Sequence, residues 1–143
     1  NKKRGEAMDR AQIAALIGKN GLRPTAQRVA VYEYLLRRTH PSVDEVFTAV
    51  SRDDPSLSRT TVYKSLHALV EAGLVLELSL AGTQERHYDA DTSLHAHLLC
   101  LSCRRIFDVP VAHAAAKVLQ PEGFSVRTTE IGFTGYCPHC GEN

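Results

Sequence analysis

No stretch of this sequence is apolar over the roughly 20 residues that a helix needs to cross a bilayer, and a helical membrane span is excluded. The opening NKKRGEAMDR is polar and lacks the apolar run of a signal peptide. The expected compartment is therefore the cytoplasm, where thiols stay reduced and disulfide staples are not expected. Cysteine is scarce, with four in all. In that compartment, paired thiols read as metal ligands or redox centres. Length is modest too. The 143 residues suffice for one ordinary domain or two very small ones. A domain below roughly 70–80 residues needs a metal, a disulfide or a partner chain to be stable.

Net charge is also small, at +1, but it is unevenly spread. Residues 1–72 hold 12 Lys/Arg against 8 Asp/Glu, while residues 73–143 hold 5 against 8. A basic half favours nucleic acid, because phosphate contacts release counterions. The acidic half contains every cysteine. Two jobs on one chain are expected.

The first half reads as helices followed by a hairpin. Asp9 to Lys19 places Ile13, Leu16 and Ile17 on one face, and Asn20-Gly21 stops it. RPTAQRVAVYEYLLRR follows, with Pro24 just inside its start and Val29, Val31, Tyr32, Leu35 and Leu36 as a helical stripe. His40-Pro41 breaks it. Ser42 caps a short helix, and Glu45 three residues on completes a capping box. Ser58 caps the next helix, which turns Val62, Leu66, Leu69 and Val70 inward and ends at Gly73. Its opening turns carry Arg59, Thr60, Thr61, Tyr63 and Lys64, all able to donate hydrogen bonds to phosphates or base edges. LVLELSL and TQERHYD around Ala81-Gly82 read as a β-hairpin. Polar first turns also occur on ordinary surface helices. Their position in a basic helix–helix–hairpin series is what points to DNA.

Cys100-x-x-Cys103 and Cys137-x-x-Cys140 are matched pairs. Together they make a tetrahedral thiolate set, the geometry of a structural zinc. The segment between them, VPVAHAAAKVLQPEG, reads as a helix, and FSVRTTEIGFTGY reads as a strand or hairpin. A dithiol redox protein is the rival reading, from a different class. It predicts turnover with a dithiol substrate and no operator binding.

His95 and His97, two apart on a strand, point to one side. Asp108 lies in the expected return strand RIFDV, Asp89 ends the hairpin, and His40 precedes Pro41. This mixed N/O set suits Fe(II), Mn(II) or Zn(II), and its oxygens shift preference toward manganese and iron. Plainer roles stand beside that one. His40 fits a surface turn, Asp89 and Asp91 fit turn caps, and His87 competes as a ligand. His67 suits a surface or DNA-facing place, His113 an exposed helix, and His139 the space between the last cysteines.

Taken together, GLRPTAQRVAVYEYL, HPSVDEVF, SRTTVYKSLHALVEAGLV, RHYD, HAHLLCLSCRRIFDV and CPHC resemble the ferric uptake regulator family of metal-dependent repressors, from about residue 10 to the end. The resemblance implies an α+β protein. Its N-terminal winged-helix DNA-binding domain would cover residues 1–88, and a small αβ dimerisation and metal-binding domain residues 89–143. It also implies a cytoplasmic homodimer that binds double-stranded operator DNA and is not an enzyme. Carried over by position, Cys100, Cys103, Cys137 and Cys140 hold a structural zinc. His40, Asp89, His95, His97 and Asp108 hold a regulatory metal. Arg23, Gln27 and Arg28 join Arg59, Thr60, Thr61, Tyr63 and Lys64 on the DNA face.

Finer differences point within the family. Iron-responsive members often carry His-His-x-His before the first cysteine pair and Glu at the two acidic positions. This chain has Leu94, Ala96, Asp89 and Asp108. It is most similar to the peroxide-responsive repressors. In those, Fe(II) reacts with peroxide and a ligand histidine, here His40 or His95, is oxidised. Mn(II) in the same place resists peroxide. Ala96 also lacks a carboxylate that some members use in an additional metal site, so no third site is expected. The alternative inside the family is a regulator of iron, manganese or zinc uptake that senses metal status itself.

Overall fold

The computed structural model describes residues 8–37, 40–112 and 120–141. They form two compact units. The first holds the described residues as far as Leu78 together with Glu85–Thr92. The second holds Ser79–Gln84 together with the described residues from Ser93 onward. The fold is α+β, in the order α1 (Arg10–Lys19), α2 (Ala26–Arg37), α3 (Val43–Val50), α4 (Arg59–Glu71), β1 (Leu76–Leu78), β2 (His87–Asp89), β3 (Ala96–Cys100), β4 (Ile106–Val109) and β5 (Ile131–Gly135). No helix among the described residues is long and apolar enough to cross a membrane.

In the first unit, side chains close the ends of most helices. Asp9 and Gln12 form a capping box on α1, and Ser42 and Glu45 form one on α3. Ser58 accepts the Thr61 amide to start α4. Such caps contribute about 1 kcal/mol each. Helix α2 begins at Ala26, later than the position of Pro24 suggests. Thr25 takes the cap: its hydroxyl accepts the Arg28 amide at 3.2 Å and its carbonyl accepts the Val29 amide at 3.0 Å. Pro24 therefore precedes the cap. Gly73, at φ +78, ends α4 in the left-handed region that favours glycine.

Helix α2 is the centre of this unit and packs on α1, α3 and α4. Ile13, Ile17, Val31, Tyr32, Val46, Leu66 and Leu69 are fully buried in one cluster. Strands β1 and β2 pair antiparallel, Leu76 opposite Asp89 and Leu78 opposite His87. Tyr88 is buried, and its hydroxyl donates to Glu77 at 2.9 Å. The segment before α3 is tied to β2. Ser42 bridges His87, and the Tyr88 amide donates to the Pro41 carbonyl at 3.0 Å. That tie places His40 beside Asp89.

The second unit is built on a three-stranded sheet in the order β4-β3-β5. Strand β3 is antiparallel to β4, with His97 opposite Asp108, and parallel to β5, with Cys100 opposite Gly135. The expected strand or hairpin over 124–136 is shorter, a single strand at Ile131–Gly135. The register explains this. Ile131 faces Ala96, the first residue of β3, so earlier residues have no partner strand. The helix expected over 109–123 does not start at Val109, which ends β4. Its centre, 113–119, lies outside the described residues, and His113 with it.

Candidate functional site

The four cysteines gather at one end of the second unit. Cys100 ends β3, Cys103 lies in the turn after it, and Cys137 and Cys140 follow β5. One sulfur from each lies within 4.8 Å of the others. All four are free thiols. The Sγ atoms of Cys103 and Cys137 are 3.9 Å apart. That is far beyond a disulfide bond, at about 2.05 Å. Sulfurs about 2.3 Å from a shared zinc lie about 3.8 Å apart at the tetrahedral angle. The set fits zinc.

Backbone geometry prepares these thiols unequally. The amides of Cys103 and Cys137 donate to Cys100 Sγ at 3.5 and 3.4 Å. Those amide bonds, with a lesser one from Ser102, lower the Cys100 thiol to about 6 against the opposing effect of burial. Cys140 goes the other way. The Ser102 hydroxyl pulls it down, but Cys137, burial, Cys100 and Cys103 together push it up to about 11. The surroundings therefore favour the thiolate at Cys100 and the protonated thiol at Cys140. A metal bound by the four sulfurs would displace the thiol protons that remain. Ser102 was not anticipated from the sequence, where nothing marks a serine between two cysteines as their partner.

The histidine and aspartate candidates fall into two groups. In the first unit, His40 and Asp89 are both buried, with His40 Nε2 3.4 Å from Asp89 Oδ2. His40 adopts φ +59, an uncommon conformation for a residue with a side chain. In the second unit, Asp108 Oδ1 lies 3.1 Å from His95 Nε2 and 3.5 Å from His97 Nε2. The two imidazoles are adjacent, with centroids 4.4 Å apart. His95 Nδ1 lies 2.7 Å from the Ser93 carbonyl, which only accepts, so the Nδ1 proton is donated there. His95 Nε2 then faces a carboxylate oxygen. A proton or a cation between the two atoms satisfies both. Donors about 2.1 Å from one cation lie about 3.0–3.4 Å apart; the His95–Asp108 spacing of 3.1 Å falls in that range and the His97–Asp108 spacing of 3.5 Å lies just beyond it. A ligand imidazole whose other nitrogen is tied to a carbonyl is the usual arrangement in metal sites.

The other histidines stand apart. His87 is not among the residues whose donor atoms converge; its Nε2 lies 3.9 Å from Glu85. His67 stacks on Tyr63 with centroids 6.4 Å apart. His139 is exposed.

On α4, Arg59, Thr60, Tyr63 and Lys64 are exposed, whereas Thr61 is half-buried and takes part in the Ser58 cap. Arg23 is exposed and accepts a 2.9 Å bond from Arg28 at its carbonyl; Gln27 and Arg28 are half-buried. Arg59 is ion-paired to Asp44 of α3. The sequence reading missed Asp44, whose only signal is an acid in the first turn of the neighbouring helix.

The sequence pattern of the ferric uptake regulator family matches residues 19–134. The chain belongs to that family. Its relatives are metal-responsive transcriptional regulators. The chain is 37% identical over 122 residues to the transcriptional regulator FurA of Mycobacterium tuberculosis, covering 83% of each chain. It is 32% identical over 130 residues to the peroxide-responsive repressor PerR of Staphylococcus aureus, covering 88% of this chain and 87% of that one. The crystal structure of the Campylobacter jejuni peroxide stress regulator superposes with a TM-score of 0.67 at 29% identity, over 93% of this chain and 100% of that one.

Proposed function

We propose that this family member is a dimeric repressor that senses peroxide through a metal held by His40, Asp89, His95, His97 and Asp108, with a structural zinc on the four cysteines. The observation that carries the reading is the facing of His95 and His97 onto one oxygen of Asp108, with Nδ1 of His95 already committed to a carbonyl. His40 and Asp89 supply the matching pair from the DNA-binding unit. Two carboxylates among five donors favour Fe(II) or Mn(II). Fe(II) held there would supply an electron to peroxide, whereas Mn(II) would not. The chain's part is to keep the His95 and His40 imidazoles largely buried beside the metal, so that oxidation falls on a ligand. An oxidised ring is a poorer ligand, and its loss would release the operator.

Operator binding is assigned to α4, with Arg59, Thr60, Tyr63 and Lys64 facing solvent, to Thr61 at its cap, and to Arg23, Gln27 and Arg28. The β1–β2 hairpin takes the place of a wing. Homodimer formation is assigned to the second unit, where Phe124, Val126 and Phe133 are exposed apolar side chains.

The test is peptide mass mapping of protein loaded anaerobically with Fe(II) and given stoichiometric peroxide, beside an Mn(II)-loaded sample. The expected result is one added oxygen on the peptide containing His40 or His95, in the iron sample alone. No added oxygen, with metal-dependent operator binding intact, would make the protein a regulator of metal status.

A further inference from the structure

The β1–β2 hairpin is shared between the two units. Its strands pack in the first, and its tip, Ser79–Gln84, packs in the second. Polar and apolar contacts hold the tip there. The Ser79 amide donates to Glu130 Oε1 at 2.9 Å, and Arg104 Nη2 donates to the Gly82 carbonyl at 2.6 Å. Leu80 is buried against Gly132, where an added Cβ would meet it at 3.3 Å. Gly82, at φ +91, lies so close to β3 and β5 that a Cβ would meet Leu99 at 3.0 Å and Thr134 at 3.6 Å.

Arg104 is informative in itself. It sits at φ +65, in the turn that follows Cys103, where glycine would be at ease. An arginine accepts that backbone here and reaches the tip with its guanidinium. The chain passes between the units at three points: after Leu78, after Gln84 and after Thr92. A single linker leaves two domains free to reorient. Here the two additional crossings flank a segment fastened to β5 and to β3, the strand that carries His97 and Cys100.

We infer that the hairpin tip is a strap, fastened by Arg104 and Glu130, that transmits the metal state of the second unit to the DNA-binding unit. The metal-dependent part rests on the function proposed above. The test uses the full, zinc-loaded chain with the double variant Arg104→Asn/Glu130→Ala, and separately Gly82→Ala. Zinc content and oligomeric mass check that the second unit remains folded. Hydrogen exchange is followed in peptides spanning 76–89. Release of the strap should speed exchange in β1 and β2 by about tenfold, while α1–α4 are unchanged. The gain in operator affinity on adding Mn(II) should fall about tenfold, with Mn(II) affinity in the absence of DNA held within about threefold. A freed tip that leaves the Mn(II) gain at its wild-type value overturns the strap. If wild-type protein shows no Mn(II) gain at all, the regulatory function fails. Exchange then decides the strap alone: strands that stay protected after the tip is freed overturn it, and strands that lose protection uphold it.

Discussion

The cysteines and the histidine–aspartate candidates are both metal-type donor sets, yet the fold treats them differently. All four cysteines lie in one unit, two after β3 and two after β5. Backbone amides converge on Cys100, so the set is organised by the main chain. The other donors are divided, His40 and Asp89 in the first unit and His95, His97 and Asp108 in the second. A set within one unit acts as a tie, because binding free energy there is folding free energy. A set divided between units is suited to bias one arrangement over another. The proposed roles, a structural zinc on the cysteines and a regulatory metal on the divided set, follow that difference.

The largest effect should come from breaking the tie. Cys137→Ser is expected to abolish zinc binding and unfold the second unit, seen as lost zinc stoichiometry and a collapsed far-ultraviolet signal. A folded, zinc-free variant would erase the distinction between the two sets. Next comes His95→Ala, which should keep zinc and oligomeric state but weaken metal-dependent operator binding at least about tenfold, the scale on which metal-site partners act. A moderate chelator should sharpen the contrast: operator binding should be lost long before zinc leaves. Arg59→Ala tests the DNA face independently of either metal. It should weaken operator binding several-fold and reduce the salt slope of the affinity by about one. The smallest effect is Ser42→Ala. Loss of that cap should cost about 1 kcal/mol of stability in a denaturation experiment. It should also lower regulatory-metal affinity slightly, because Ser42 fixes the turn that carries His40.

Some of this was legible because its physics is local. A serine with a glutamate three residues on makes a capping box wherever it occurs, and Ser42–Glu45 did so. Alternation around Ala81-Gly82 makes a hairpin, and β1–β2 is one. The placement of Asp108 opposite His97 was also within reach, since a return strand that begins three residues after a Cys-x-x-Cys turn has few registers open to it. Pro24 misled because a stronger capping residue stood next to it. The extent of β5 was hidden because it depends on where its partner β3 begins, far away in the chain. Ser102 and Asp44 gave no signal, since their partners are set by folding.

The sequence by itself determined the helical caps, the inward faces of α2 and α4, the pairing of cysteines into two grips and the types of donor available for metal. Each depends on residues a few positions apart, where chain geometry leaves little choice. Tertiary structure alone decided which donors meet, that Arg59 is held by Asp44, that Ser102 reaches Cys140, and that the hairpin tip belongs to the other unit from its strands. Those facts depend on contacts between segments tens of residues apart, and only the packing of the whole chain selects among them.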